Sequence, residues 1–253
     1  MNMANSKPSY PPPSDSIRTL SLWISIFQIG VWFLVLWVNM ALEISIYLLP
    51  FQILLQSFLF VGLFIVAHDC MHGIVGPKSG IANKVLGSIC AFLFAGFSYK
   101  KLKVKHAEHH NFLVTDKDPD YTSGNNESFF VWLKSFIVRY FGIRELLVLN
   151  IHVITLYYLS GSYLKVILFF AIPSWIASLQ LFYFGTYRPH RHFPDTEEVE
   201  IKARSNNYPV WLSFLTCYHF GYHEEHHRYP YLAWWRLPQA YKQDKNTLRE
   251  NLV

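Results

Sequence analysis

The sequence predicts an all-α integral membrane protein, with four transmembrane helices, a short re-entrant or half-depth helix, and a cytosolic helical cap rich in histidine. Three observations predict it. Apolar residues make up 52% of the 253-residue chain and charged residues only 15%, against about 25% charged in an average soluble domain. Several apolar runs approach the length of about 20 residues that crosses a bilayer. Of the 22 lysines and arginines, 21 fall in the stretches these runs leave on one side, with only Lys165 opposite. Membrane topology imposes this asymmetry on cytoplasmic loops.

The same distribution disposes of nucleic acid as a partner. A net charge of +5 suits phosphate binding in principle, but here the cations sit in loops beside apolar spans. Aromatic residues, at 18%, suit membrane-interface belts and the lining of a long apolar pocket. Cys70, Cys90 and Cys217 have no paired spacing and read as reduced core residues.

Taken in order, residues 1–17 are rich in proline and serine and read as a disordered tail. They are not a signal peptide, because the apolar run that follows is a full span long and lacks a small-residue cleavage site. A membrane domain over 18–240 and a C-terminal tail over 241–253 complete the chain. The first span runs from about Leu20 to Val38. The second begins near Ile44, is punctuated by Pro50, and leads directly into His68-Asp69-Cys70-Met71-His72. The apolar run 85–97 is too short to cross, and lysines flank it on both sides, which predicts the half-depth helix. His106, His109 and His110 follow at once, then the polar loop Thr115–Tyr121. Residues 129–142 are amphipathic and predict an interfacial helix. A third span covers Leu146–Leu159 and a fourth Tyr163 to about Tyr187. An acidic run after His192 reads as a solvated loop, and an apolar helix start at 208–217 feeds a last histidine-rich helix.

The histidines carry the chemistry. Positions three and four apart share a helical face, so His68 with His72, His106 with His109 and His110, and His223 with His226 and His227 form three clusters. All lie on the same side of the predicted membrane domain. Crowded imidazoles repel when charged, and a metal ion is the partner that keeps them neutral. Eight imidazoles exceed the needs of one ion, which predicts a di-metal site. His152, inside the third span, reads as a buried structural residue.

The strings HDCMHG, HAEHH and HEEHH resemble the membrane fatty acid desaturase and hydroxylase superfamily of non-haem di-iron oxygenases. Flanking strings, TDKDPDY, QLFYFGTYRPHRHFPD and TCYHFGYHEEHHRYPYLAWWRLP, resemble the bacterial-type beta-carotene ketolases over roughly residues 20–240. The resemblance implies two iron ions, O₂ as co-substrate and electrons from an external donor such as ferredoxin. It implies a carotenoid substrate held from the lipid bilayer, with keto groups placed at C4 and C4′ of the rings. Beta-carotene would pass through echinenone to canthaxanthin, and zeaxanthin to astaxanthin. The location implied is a bacterial cytoplasmic membrane or its equivalent, with both termini and the histidines on the cytoplasmic side.

The resemblance also assigns a further ligand at the end of the fourth span, matched here by His190, with His192 and His219 as competitors; His219, four residues before His223 on the same helical face, is a candidate either to ligate beside His190 or to support the ligands from behind. Ligating histidines donate their second N–H to carboxylates or carbonyls, which makes Asp69, Asp116, Asp118, Glu224 and Glu225 candidates for orienting them. Phe182, Tyr183, Tyr222, Trp234 and Trp235 are candidates for gripping the substrate ring. A fatty acid desaturase or hydroxylase would share the histidines but not the flanking strings. A metal transporter or sensor would place its ligands near the midplane of its spans. A carotenoid-binding protein without activity would have no need of complete histidine clusters.

Overall fold

The computed structural model describes residues 10–77, 80–122, 128–191 and 201–250. The elements among them are all helical, and four helices are long and apolar enough to cross a membrane. Helix α1, Asp15–Ala41, starts where the Ser14 hydroxyl accepts from the amide of Ile17 at 3.4 Å. Helix α2, Leu49–Met71, starts at Pro50, so the predicted interruption is a helix start. Proline is suited to the first turn because that N–H has no intrahelical acceptor.

The core is organised round α2. Its Phe60 meets Trp32 of α1 at 5.3 Å between ring centres and, further along the chain, Phe94 at 6.2 Å and Phe170 at 5.5 Å. Helix α3, Ile81–Ala95, is the half-depth element; its 15 residues reach about 22 Å, short of a hydrocarbon core of about 30 Å. It stops at Gly96, whose φ is +70° and where a Cβ would lie 2.8 Å from Val148. Helix α4, Tyr99–Asn111, leaves at 96° to it. The Tyr99 hydroxyl donates to the carbonyl of Cys70 at 2.7 Å, which ties the second histidine cluster to the end of α2 that carries the first.

Helix α5, Phe129–Tyr140, covers the polar loop. Trp132 donates to the Asp120 carbonyl at 2.7 Å, and Arg139 to that of Pro119 at 3.1 Å. Helix α6, Ile143–Ser160, and helix α7, Tyr163–His190, are the third and fourth spans. Two π-helical segments lie within α7, Ile167–Ala171 and Phe182–Tyr187. Each precedes or overlaps the residues whose carbonyls Pro173 and Pro189 deprive of a donor four residues on, and widening the turn accommodates that loss.

The cap differs from the expected single helix. Helix α8, Val210–Cys217, ends at Tyr218 and His219, with φ of +49° and +64°, and helix α9, His223–Arg228, starts afresh. Tyr218 stacks on Phe58 at 4.3 Å and presses its hydroxyl against Gly62, where a Cβ would lie 2.7 Å away. Wedging that ring into α2 forces the reversal. Helix α10, Leu237–Glu250, follows.

Both terminal boundaries shift. Residues expected in the N-terminal tail are helical from Asp15, and Tyr10 is buried against Tyr229 with ring centres 5.3 Å apart. The Tyr231 hydroxyl donates to the Tyr10 carbonyl at 2.7 Å. At the other end, α10 runs straight through residue 241 instead of giving way to a tail. Residues 1–9 and 251–253, His192 and the acidic run at 195–200 lie outside the described residues.

Candidate metal centre

Helix geometry alone stacks the pairs His68 and His72, His106 and His110, and His223 and His227, each four residues apart. The fold then sorts the clusters into two groups that cross the sequence order. His68, His72, His106 and His226 place one ring nitrogen each within 4.8 Å of the others; His109, His190, His223 and His227 do the same. His110 stands between them, its Nε2 3.0 Å from that of His226 and its ring centre 4.3 Å from that of His227. All nine histidines expected from the sequence are thus brought together, His190 included.

The donor set fits metal ions. The His190 and His223 Nε2 atoms lie 2.9 Å apart, those of His72 and His106 2.8 Å, and those of His68 and His226 3.2 Å. His109 Nδ1 donates to Asp118 and His190 Nδ1 to the carbonyl of Lys202, each at 2.9 Å, so in the neutral rings that bind metal both Nε2 atoms carry lone pairs. Converging lone pairs repel unless a cation lies among them. The spread of each group, within 4.8 Å, lies close to the separation of about 4.2 Å between opposite ligands of one ion with bonds near 2.1 Å. Burial first, and neighbouring imidazoles second, hold His223, His226 and His227 well below the usual histidine range, so they are neutral donors. Imidazole sets of this kind suit iron, zinc or copper.

The supporting carboxylates divide. Asp118 is buried and accepts from His109 and from the amides of Val114 at 3.0 Å and Asp120 at 2.8 Å. Burial pushes its pKa up, but His109 and those amides outweigh it and hold the carboxylate low. Asp69 lies 3.5 Å from His68 Nδ1 and accepts from the amide of Trp234 at 3.1 Å. Asp116 faces solvent, because the turn at 115–118 points it away. Its place is taken by Asp120, 3.9 Å from His109 Nδ1 and bonded by the Tyr140 hydroxyl. Glu224 pairs with Arg228 at 2.8 Å on the surface, whereas Glu225 is buried and takes the Ser205 hydroxyl.

His219 stands apart from both groups. The left-handed turn removes it from the face of α9, and its ring lies against Tyr222 and Trp234, each at 6.0 Å. His152 sits against Phe92 and Phe170 in the membrane region, also away from the centre.

A largely apolar cavity of about 220 Å³ ends on His68, His106, His109 and His223. Phe94, Phe136 and Phe182 line its middle, and Ser174, Trp175 and Leu179 its outer part. Trp175 is 58% exposed and Leu179 38%, so the mouth opens sideways on the apolar face of α7. From Gly185 to Ser174 the cavity follows α7 for about 16 Å.

Of the expected ring-gripping residues only Phe182 lines this space. Tyr183 packs on Phe129, Tyr222 stacks on Tyr241 at 4.3 Å, Trp234 lies over Phe214, and Trp235 donates to Ser21 at 3.4 Å. The tryptophans instead fasten the last segment to α1 and α2. The aromatic walls contributed by α3 and α5 carried no signal separating them from ordinary membrane residues.

Comparison with known proteins decides the family. The fatty acid desaturase family model matches residues 44–157 and 130–253. The chain belongs to the fatty acid desaturase family. Within it, the chain is 40% identical over 223 residues to a beta-carotene ketolase of Paracoccus sp. (strain N81106 / MBIC 01143), covering 87% of this chain and 88% of that protein. It is 44% identical over 187 residues to a beta-carotene ketolase of Paracoccus sp. (strain PC1), covering 74% and 76%. A zeaxanthin 4-ketolase of Chlamydomonas reinhardtii is 34% identical over 244 residues, 91% of this chain and 54% of that protein. No solved structure matches the chain.

Proposed function

We propose that this protein is a carotenoid ketolase that oxidises C4 of a beta-ionone ring, with beta-carotene as substrate and hydroxylated rings accepted. The observation that carries the reading is the cavity. It is apolar, opens on the lipid-facing side of α7, and closes on histidines of both groups. The ketolase names of the relatives supply the substrate class.

Two iron ions would be held by His68, His72, His106 and His226 on one side and His109, His190, His223 and His227 on the other, with His110 between them. Bound iron would supply the reductive activation of O₂ that hydroxylation of this allylic methylene requires. Each hydroxylation consumes one O₂, two electrons and two protons, and releases one water. A second at the same carbon gives a geminal diol, which loses water to the ketone. The electrons come from an external donor such as ferredoxin.

The chain's own residues bind, orient and exclude water. Phe94, Phe136 and Phe182 enclose a ring where only one carbon is brought to the histidine end. The apolar walls keep bulk water out. Asp118 fixes the ring plane and tautomer of His109, and the Lys202 carbonyl those of His190. The charge distribution supports a cytoplasmic location for this end of the molecule.

The test is expression in a beta-carotene-producing host, followed by pigment extraction, with zeaxanthin as a second substrate. The expected products are the mono- and diketo forms of each. An unchanged carotenoid profile with altered acyl chains would overturn the reading in favour of a desaturase.

A further inference from the structure

A second concavity, of about 1120 Å³, lies between α3 and α4. Its floor is apolar, with Ile89, Phe92 and Phe97, and its rim carries Lys84, Lys100 and Lys103. The floor belongs to a stripe along α3, where Ile81, Val85, Ile89 and Phe92 follow one another at helical spacing and are all exposed. Lys100 and Lys103 share a face of α4, three residues apart, and Lys84 stands on α3. Among the described residues, no ion pair involves any of these three lysines. Arg144, which also lines the groove, is paired with Glu145 at 3.0 Å.

We propose that this groove binds an anionic phospholipid. The half-depth helix sets an apolar surface at acyl-chain level, and the lysines stand above it where a headgroup phosphate lies. Uncompensated lysines next to an apolar membrane surface attract anionic lipid, and each contributes separately. A carotenoid offers the lysines no anion. An acidic electron-donor protein would meet the rim but would leave the recessed apolar floor uncovered. The site is separate from the histidine cavity, although Phe97 forms part of both walls. A lipid seated there would support α4, and with it His106, His109 and His110, from the membrane side.

The experiment uses the full chain in mild detergent, titrated with phosphatidylglycerol or phosphatidylcholine of identical acyl chains. Retained lipid is read by native mass spectrometry. Phosphatidylglycerol is expected to be held more tightly. Each lysine removed is expected to weaken it roughly fivefold, and the triple variant Lys84→Gln, Lys100→Gln, Lys103→Gln to abolish the preference. Lys242→Gln, on α10, is expected to leave it unchanged. Equal retention of the two lipids overturns the proposal, as does a triple variant that keeps the preference. A triple variant that retains lipid normally but loses donor-supported turnover assigns the groove to an acidic protein instead.

Discussion

Replacing Asp118 by asparagine removes one charge and changes almost no volume. The carboxylate is buried and receives three donors, His109 Nδ1 at 2.9 Å and the amides of Asp120 at 2.8 Å and Val114 at 3.0 Å. Asparagine has one acceptor oxygen, so its NH₂ must face one of those N–H groups. If the oxygen stays with His109 and Asp120, the Val114 amide is left unpaired; if it turns to Val114, His109 loses its anchor. A hydrogen bond to a charged group contributes about 1.5–3 kcal/mol, which corresponds to about a 10- to 100-fold loss of metal affinity. Loss of a carboxylate behind a ligating histidine gives a drop of the same size, about 10- to 100-fold. The assay is iron per chain by elemental analysis across a titration of free Fe(II), with ketone formation measured in parallel. Asp116→Asn, exposed and unbonded, is the control and is expected to match the parent. An Asp118→Asn protein that binds iron as tightly as the parent, while Asp116→Asn does not, would refute the assignment of roles within the loop.

The other expectations concern the cavity, the packing of α4 and the metals. Ser178→Trp fills the outer cavity and is expected to lower kcat/KM for beta-carotene at least tenfold with iron content unchanged, checked by product formation and elemental analysis. Gly185→Ala would place a Cβ 2.6 Å from the Phe220 ring, which itself lies 4.7 Å from His68 and 4.8 Å from His223. Overpacking of this sort costs about 1–3 kcal/mol, and calorimetry should show a lower Tm together with lower turnover. Tyr99→Phe removes the 2.7 Å bond to the Cys70 carbonyl, which keeps the Gly73 amide at 3.0 Å, a loss of about 0.5–1.5 kcal/mol; a slightly lower Tm is expected, with the same products formed. Chelation is expected to abolish ketone formation and lower the Tm, because a ligand at 100 times its Kd stabilises by about 2.7 kcal/mol. Fe(II) should restore both.

Spans, the half-depth helix and the histidine clusters were legible because each follows a local rule, namely apolar length, flanking lysines or spacing of three and four. Pairing across the chain follows no local rule. Nothing near His226 indicates that it joins His68, His72 and His106 while its neighbours join His109. That depends on how α9 is set down on α2 and α4. His219 shows the same dependence: its spacing from His223 fits a helix, but the chain turns left-handed at Tyr218 and His219, where the Tyr218 ring is wedged against Gly62. The loop Thr115–Tyr121 offered three aspartates, and only tertiary placement distinguishes exposed Asp116 from Asp118 and Asp120. Trp234 and Trp235 looked like a ring clamp because large aromatics near a site serve either purpose, and here Trp234 presents its amide to Asp69.

Helix α9 has only six residues, yet it contributes to both histidine groups. Neither half of the centre can therefore be completed without it, and a ligand that fixes α9 for one half has already positioned it for the other. Metal bound at one half would then favour binding at the other, and chains holding two ions or none are expected to outnumber those holding one.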